Sequence, residues 1–276
     1  MKQSTRLLLL TFFTLLLAFS LWRLWSIFTA YQEGKDHYVA LEQYVSMSED
    51  FPSGEEAIST ELIYPSSPSA DDVIAADTVD VSIWPQVDFF QLAQINPDIV
   101  GWIYIEGTNI NYPVVQGENN SYYLKRLFDG TYNGSGCIFL DYRSSADLSD
   151  RHSIIYGHHM KDSSMFSDLV QYKKQAFYDE HPVALLVTPG AYYKIQFFSG
   201  YVSDTWSDAW ELNLDESGFA GWLNNIQGKS LFKTSCTPLQ TDRIITLSTC
   251  TYEYDAAKYV LHGYISEEIV NTSELD

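Results

Sequence analysis

The chain opens on a run that is apolar on every helical face. Residues 7–22 (LLLLTFFTLLLAFSLW) follow Lys2 and Arg6 and hold no charge. As a helix this run spans roughly 24 Å, a little short of a hydrocarbon core of about 30 Å. Arg23 interrupts it, and residues 24–28 (LWSIF) resume the apolar character. An arginine there can snorkel to the headgroups, where Trp22 and Trp25 also belong. A surface core helix would show one polar face, and this run has none. A cleaved signal peptide would need small residues after its core, whereas Leu21, Trp22, Leu24 and Trp25 are bulky. The pattern predicts an uncleaved membrane anchor over 1–30, with the basic flank inside the cell and the remainder outside.

From 31 to about 47 apolar residues recur on a polar background, at Tyr31, Tyr38, Leu41, Tyr44 and Val45. That suits a helix leaving the membrane. Between 48 and 80 the periodicity is lost. Ser, Pro, Glu and Asp dominate, and no Lys or Arg occurs between Lys35 and Lys125. Low hydrophobicity with one sign of charge predicts disorder. Residues 31–82 therefore read as an acidic extracellular linker, partly helical and then disordered, that tethers a domain over 83–276.

Within that domain, 87–95 has helical spacing with Asp88 as its N-cap, and Asn96-Pro97 ends it. The pattern then turns to short β-type runs separated by Gly, Asp and Asn. They fall at 100–105, 112–116, 136–140, 153–156, 183–187, 192–198, 244–248 and 258–265. Strands at this density predict a mainly β domain, closed or sandwich-like. Two helical pieces interrupt it, at about 165–172 and 216–226. The second places Phe219, Trp222, Leu223 and Ile226 on one face.

Composition changes this picture in two respects. The 276 residues carry a net charge of −20, which repels phosphate backbones and argues against a nucleic-acid partner. The three cysteines, Cys137, Cys236 and Cys250, form no CxxC, so no zinc site is supported. No other metal or organic cofactor is indicated. An odd count leaves at least one thiol unpaired; Cys137 and Cys236 either bridge or remain two buried thiols.

The candidate chemistry sits at the ends of three β runs. Cys250 closes the segment 246–250 (TLSTC). His158 and His159 follow the run that ends at Tyr156, with Gly157 allowing a sharp turn. Lys258 opens the strand after Cys250. A thiol becomes a useful nucleophile where it is accessible and a base lies beside it. Taken singly, each of these residues has a plainer reading as a buried thiol, a solvated turn or a surface charge.

Together they are more specific. Residues 156–166 (YGHHMKDSSMF) and 246–255 (TLSTCTYEYD) resemble the two signature segments of class B sortases. Residues 95–103 (INPDIVGWI), followed by 112–116 (YPVVQ), resemble that family too, and the likeness runs in order over about 85–265. The resemblance implies a membrane-anchored cysteine transpeptidase of a Gram-positive bacterium. Its fold would be a closed eight-stranded β-barrel with added N-terminal helices and a helix between two late strands. The segments 88–95 and 216–226 sit where such helices would fall.

The family cleaves a C-terminal sorting motif, often of the NPQTN kind, after its Thr. It then joins the Thr carbonyl to an amine, on a peptidoglycan cross-bridge precursor or on a pilin lysine. By this resemblance the partners are secreted proteins with a sorting signal, the acceptor amine and, through the N-terminal helix, the membrane. Cys250 would attack the Thr carbonyl and hold a thioester. His158 would protonate the leaving amine and deprotonate the incoming one, while His159 fits a neighbouring, non-catalytic role. Ser248 would orient substrate or the polar network, and Tyr156 and Thr249 would line the cleft.

One position departs from the family. An arginine usually opens the strand after the cysteine, contacting the substrate backbone and the oxyanion; here it is Lys258. Lysine offers a compact charge and no rigid fork of donors. Three outcomes stay open: Lys258 substitutes, another arginine such as Arg143 or Arg151 reaches the site, or the enzyme is crippled. Beside the transpeptidase stand two alternatives, a surface cysteine peptidase with water as acceptor and a module that binds sorting peptides without turning them over.

Overall fold

The computed structural model describes residues 3–48 and 83–270. The apolar run is the first half of one unbroken helix, α1 (Gln3–Leu41). Residues 7–25 of it are exposed, and the helix is long and apolar enough to cross a membrane. Its second half is not free. Gly34, Tyr38 and Leu41, at helical spacing, are buried against the domain. The Tyr38 ring meets Tyr112 edge to face, with centroids 5.2 Å apart.

After a 3-10 turn at Glu42–Tyr44, the chain forms β1 (Val45–Ser48), which pairs antiparallel with β2 (Trp84–Val87). Residues 31–48, expected as linker, thus pack on the domain. Tyr38 and Leu41 enter the core, and Tyr44 and Val45 pack against it. The acidic stretch 49–82, expected to be disordered, lies outside the described residues. Its flanks Ser48 and Trp84 are direct register partners. The acidic stretch therefore joins two neighbouring strands and does not separate anchor from domain.

Helix α2 (Phe89–Ile95) starts where its cap predicts: the Asp88 carboxylate accepts from the Gln91 N–H at 2.9 Å. Then come β3 (Ile99–Tyr104), β4 (Asn111–Val115), β5 (Ile138–Leu140) and β6 (His152–Tyr156). The piece expected near 165–172 is a 3-10 helix, Ser167–Lys173. Lys174, with φ −104° and ψ 128°, separates it from α3 (Gln175–Glu180). Strands β7 (Val183–Val187) and β8 (Ala191–Ser203), helix α4 (Glu216–Gly228), and strands β9 (Ile244–Cys250) and β10 (Lys258–Val270) complete the domain.

The barrel is closed, in the order β10-β8-β7-β3-β4-β5-β6-β9, with β9 returning to β10. Its eight strands are the eight β-type runs of the sequence. Closure leaves no unpaired edge in this sheet. Side chains alternate across its wall. Ile245 and Leu247 of β9, with Tyr259 and Leu261 of β10, enter the main core. Ile244 and Val260 face outward and are covered by Phe219, Trp222, Leu223 and Ile226 of α4. Each such side chain contributes about 1.5–3 kcal/mol on burial, enough to hold α4 to the wall. Cys137 is fully buried and Cys236 half-buried, and both are free thiols.

Candidate active site

The site is set by a parallel pairing that the sequence does not announce. Strand β6 lies beside β9, with Tyr156 opposite Ser248, and the Gly157 N–H continues the ladder to the Ser248 carbonyl at 3.1 Å. The turn carrying the two histidines therefore leaves the sheet beside the end of β9. Gly157 is needed for close approach, since a Cβ there would meet Ile138 at 2.4 Å and Phe166 at 2.7 Å.

Cys250 ends β9 half-buried and lies directly opposite Lys258, the first residue of β10. Facing the same way from the two strands, they meet: Lys258 Nζ is 3.0 Å from Cys250 Sγ. His158 is also half-buried, and its Nε2 lies 2.6 Å from the Leu124 carbonyl. A carbonyl only accepts, so Nε2 carries the proton and Nδ1 is left for proton transfer. The neighbouring imidazole serves the backbone. His159 Nδ1 donates to the Cys250 carbonyl at 3.0 Å, and the ring rests against Tyr252. His159 thus ties the histidine turn to the chain around the thiol.

Alternation separates the remaining candidates. Ser248 lies on the outward face with Cys250, buried. Thr249, expected to line the cleft beside it, sits on the opposite face with Leu247. It is buried there, and its hydroxyl has no hydrogen-bond partner among the described residues. Tyr156 stacks on Phe139 and donates to Asp141 at 3.0 Å. Burial and the neighbouring Asp141 carboxylate push the Tyr156 hydroxyl well above its ordinary pKa. Burial also works to raise the pKa of Asp141, but hydrogen bonds from Arg143, Asn120 and Tyr156 outweigh it and hold the carboxyl below its usual range.

Residues 103–266 match a family model described as the sortase domain. The chain belongs to the sortase family. Its relatives place it in class B. Sortase B of Staphylococcus aureus is 36% identical over 167 residues, which cover 60% of this chain and 68% of that one. The S. aureus sortase B–substrate complex has a TM-score of 0.62 at 34% identity, covering 65% of this chain and 84% of that one. Sortase B of Listeria monocytogenes is 34% identical over 191 residues, 68% of this chain and 78% of its own. A structure of sortase B from B. anthracis in complex with AAEK1 reaches a TM-score of 0.67 at 30% identity, covering 87% and 99%. Sortases are cell-surface cysteine transpeptidases, and this chain is an enzyme of that family.

For a sortase, the arginine question has a geometric answer. Arg143 forks onto Asp141 with both contacts at 2.9 Å. Arg243 is held by Glu268 and the Leu148 carbonyl, and Arg151 lies over the Phe219 ring. The cation at the thiol is Lys258. A cavity of about 440 Å3 is lined by Tyr201, Ser203, Asp204, Lys229, Leu231 and Tyr254, and neither Cys250, His158 nor Lys258 lines it. Ser203 is the β8 register partner of Lys258, so the cavity lies one strand beyond Lys258, on the side away from Cys250.

Sequence reasoning missed the groups that hold the loop between Cys250 and Lys258. Lys173 reaches the Thr251 hydroxyl at 3.1 Å and pairs with Glu253, which also accepts from Thr251. Nothing in the pattern around Lys173 marks it, because its partners lie about eighty residues away. Among the described residues, no cluster of His, Cys, Asp or Glu is arranged to hold a metal ion.

Proposed function

We propose that this sortase is a membrane-anchored transpeptidase that cleaves a C-terminal sorting signal after Thr and transfers the acyl group to an amine of the cell wall or of a pilin. The contact between Lys258 Nζ and Cys250 Sγ carries this reading. It puts a positive charge at the one atom that must become an anion. The same contact favours a working site over one disabled by loss of arginine.

Cys250 gives up its proton to water beside Lys258, and His158 takes one from water at Nδ1; the thiolate then attacks the Thr carbonyl carbon, forming the C–S bond and a tetrahedral oxyanion. The C–N bond then breaks as His158 protonates the leaving amine, and a thioester remains. An incoming amine attacks the thioester and gives its proton to His158 as the thiolate departs. Lys258 stabilises negative charge first on sulfur and then on the nearby oxygen. Ser248 helps to order the wall under the thiol. The exposed apolar half of α1 spans the membrane and leaves the barrel outside a Gram-positive cell.

Incubating the full chain in detergent with a quenched NPQTN-type peptide and an amine acceptor tests this. Joined product from the wild type and none from Cys250→Ala is expected. Hydrolysed peptide alone, with acceptor in excess, would instead establish the peptidase. Binding without cleavage would establish the inert module.

A further inference from the structure

The second half of α1 reaches the segment on which His158 rests. The Tyr38 hydroxyl, buried, donates to the Gly136 carbonyl at 2.5 Å. One turn earlier, Gly34 lies so close to Ser135 that a Cβ would stand 2.6 Å from its hydroxyl oxygen. One further turn back, the Ala30 carbonyl accepts from the Asn133 side-chain amide at 2.9 Å. Three successive turns of the helix thus grip the turn at 133–136.

That turn is wedged against the histidine. Gly136 has φ +62°, and a Cβ on it would come 2.8 Å from the carbonyl oxygens of Tyr123 and Leu124 and 3.0 Å from the His158 ring. Leu124 is the residue whose carbonyl holds His158 Nε2. Backbone bonds from Asn133 to Lys125 and from Cys137 to Tyr123 join the two sides of the segment into one unit.

We propose that the membrane-proximal half of α1 is a positioning element for His158, with Tyr38 and Gly34 as its positioning residues. They fix the 123–137 segment, which in turn fixes the tautomer and direction of the imidazole. This rests on the role given to His158 above. It also makes the anchor and the site one rigid piece, because α1 is unbroken from the apolar run to Leu41.

The test uses the full chain in detergent micelles with Tyr38→Phe, which removes one oxygen, and Gly34→Leu, which pushes the helix off Ser135. Peptide turnover is measured together with 15N and 13C spectra of labelled histidine, the His158 signals being assigned with His158→Gln. In Tyr38→Phe, kcat should fall roughly tenfold at unchanged KM, as expected for a misaimed group. The His158 spectrum should shift from the Nε2-protonated tautomer toward a mixture. Gly34→Leu should move both readouts further. His158 signals unmoved in both variants would overturn the proposal, whatever happens to kcat. A wild type that turns over no peptide would defeat the reaction proposed above, and the tautomer signal alone would then decide the bracing. Should Gly34→Leu fail to fold, the His158 signals of Tyr38→Phe decide alone.

Discussion

Lys258 and Cys250 are cross-strand partners whose side chains meet at 3.0 Å, ammonium against sulfur. This pairing is fixed by register, since both residues stand at the ends of hydrogen-bonded strands and face outward together. A compact charge on a flexible stem can touch the sulfur, though it offers no fork to a substrate carbonyl. Lys258→Met, which keeps the length and drops the charge, should lower kcat/KM about a hundredfold. It should also slow alkylation of Cys250 by iodoacetamide at neutral pH. Lys258→Arg should keep the alkylation rate close to wild type. Equal alkylation rates in the wild type and Lys258→Met would remove the lysine from the thiol's activation.

The two basic groups are expected to separate by readout. His158 is bound through Nε2 to the Leu124 carbonyl, whereas Lys258 is the group in contact with sulfur. His158→Ala should therefore cost kcat on the order of 10²–10⁴ through loss of proton transfer, while alkylation of Cys250 stays near the wild-type rate. A sharp drop in alkylation in His158→Ala would mean that the imidazole, and not the ammonium, sustains the reactive thiol.

Much of the barrel is legible in the sequence because its strands are short, apolar and punctuated, and all eight runs are strands of one closed sheet. Asp88 is legible as a cap because its chemistry is local. The pairing of β6 with β9 is not, since a parallel neighbour about ninety residues away leaves no mark on either strand. Thr249 faces away from Cys250 for a related reason: adjacent residues of a strand face opposite ways. Tyr38 and Leu41 are visible as spaced apolar residues. Their docking onto the barrel is hidden because a helix leaving a membrane and a helix packing on a domain share that pattern.

The acidic stretch offers a direct check on this docking. Ser48 and Trp84 are paired, so a two-residue turn can bridge them. Replacing 49–83 by Asn-Gly, which suits such a hairpin, should leave a folded, active enzyme. Because closing a long loop costs more entropy than closing a short one, the gain should be about 2.5 kcal/mol at most. Thermal melting and peptide turnover measure this. Loss of folding or activity would show that the stretch does more than connect.

A buried polar chain on the outer wall sets the expected acid sensitivity. His152 Nδ1 donates to the Glu211 carbonyl, which makes His152 Nε2 an acceptor for the Thr246 hydroxyl, each at 2.7 Å. Thr246 in turn accepts from His262 Nδ1 at 2.7 Å, and His262 Nε2 faces the Tyr201 hydroxyl at 3.3 Å. Every link points one way, and both imidazoles must be neutral for it to close. Burial lowers His152 to about 4 and pushes His262 well below the ordinary histidine value. The unfolded chain takes up protons at these positions near pH 6.5, before the folded one does. Stability from these groups is thus complete above about 6.5 and is lost as pH falls toward 4, by roughly 3 kcal/mol for His152 alone. Urea midpoints measured at pH 7 and pH 4.5 should fall accordingly. His152→Gln should be less stable at pH 7 yet show a flatter decline over that range. An equally steep decline in His152→Gln would place the acid sensitivity elsewhere.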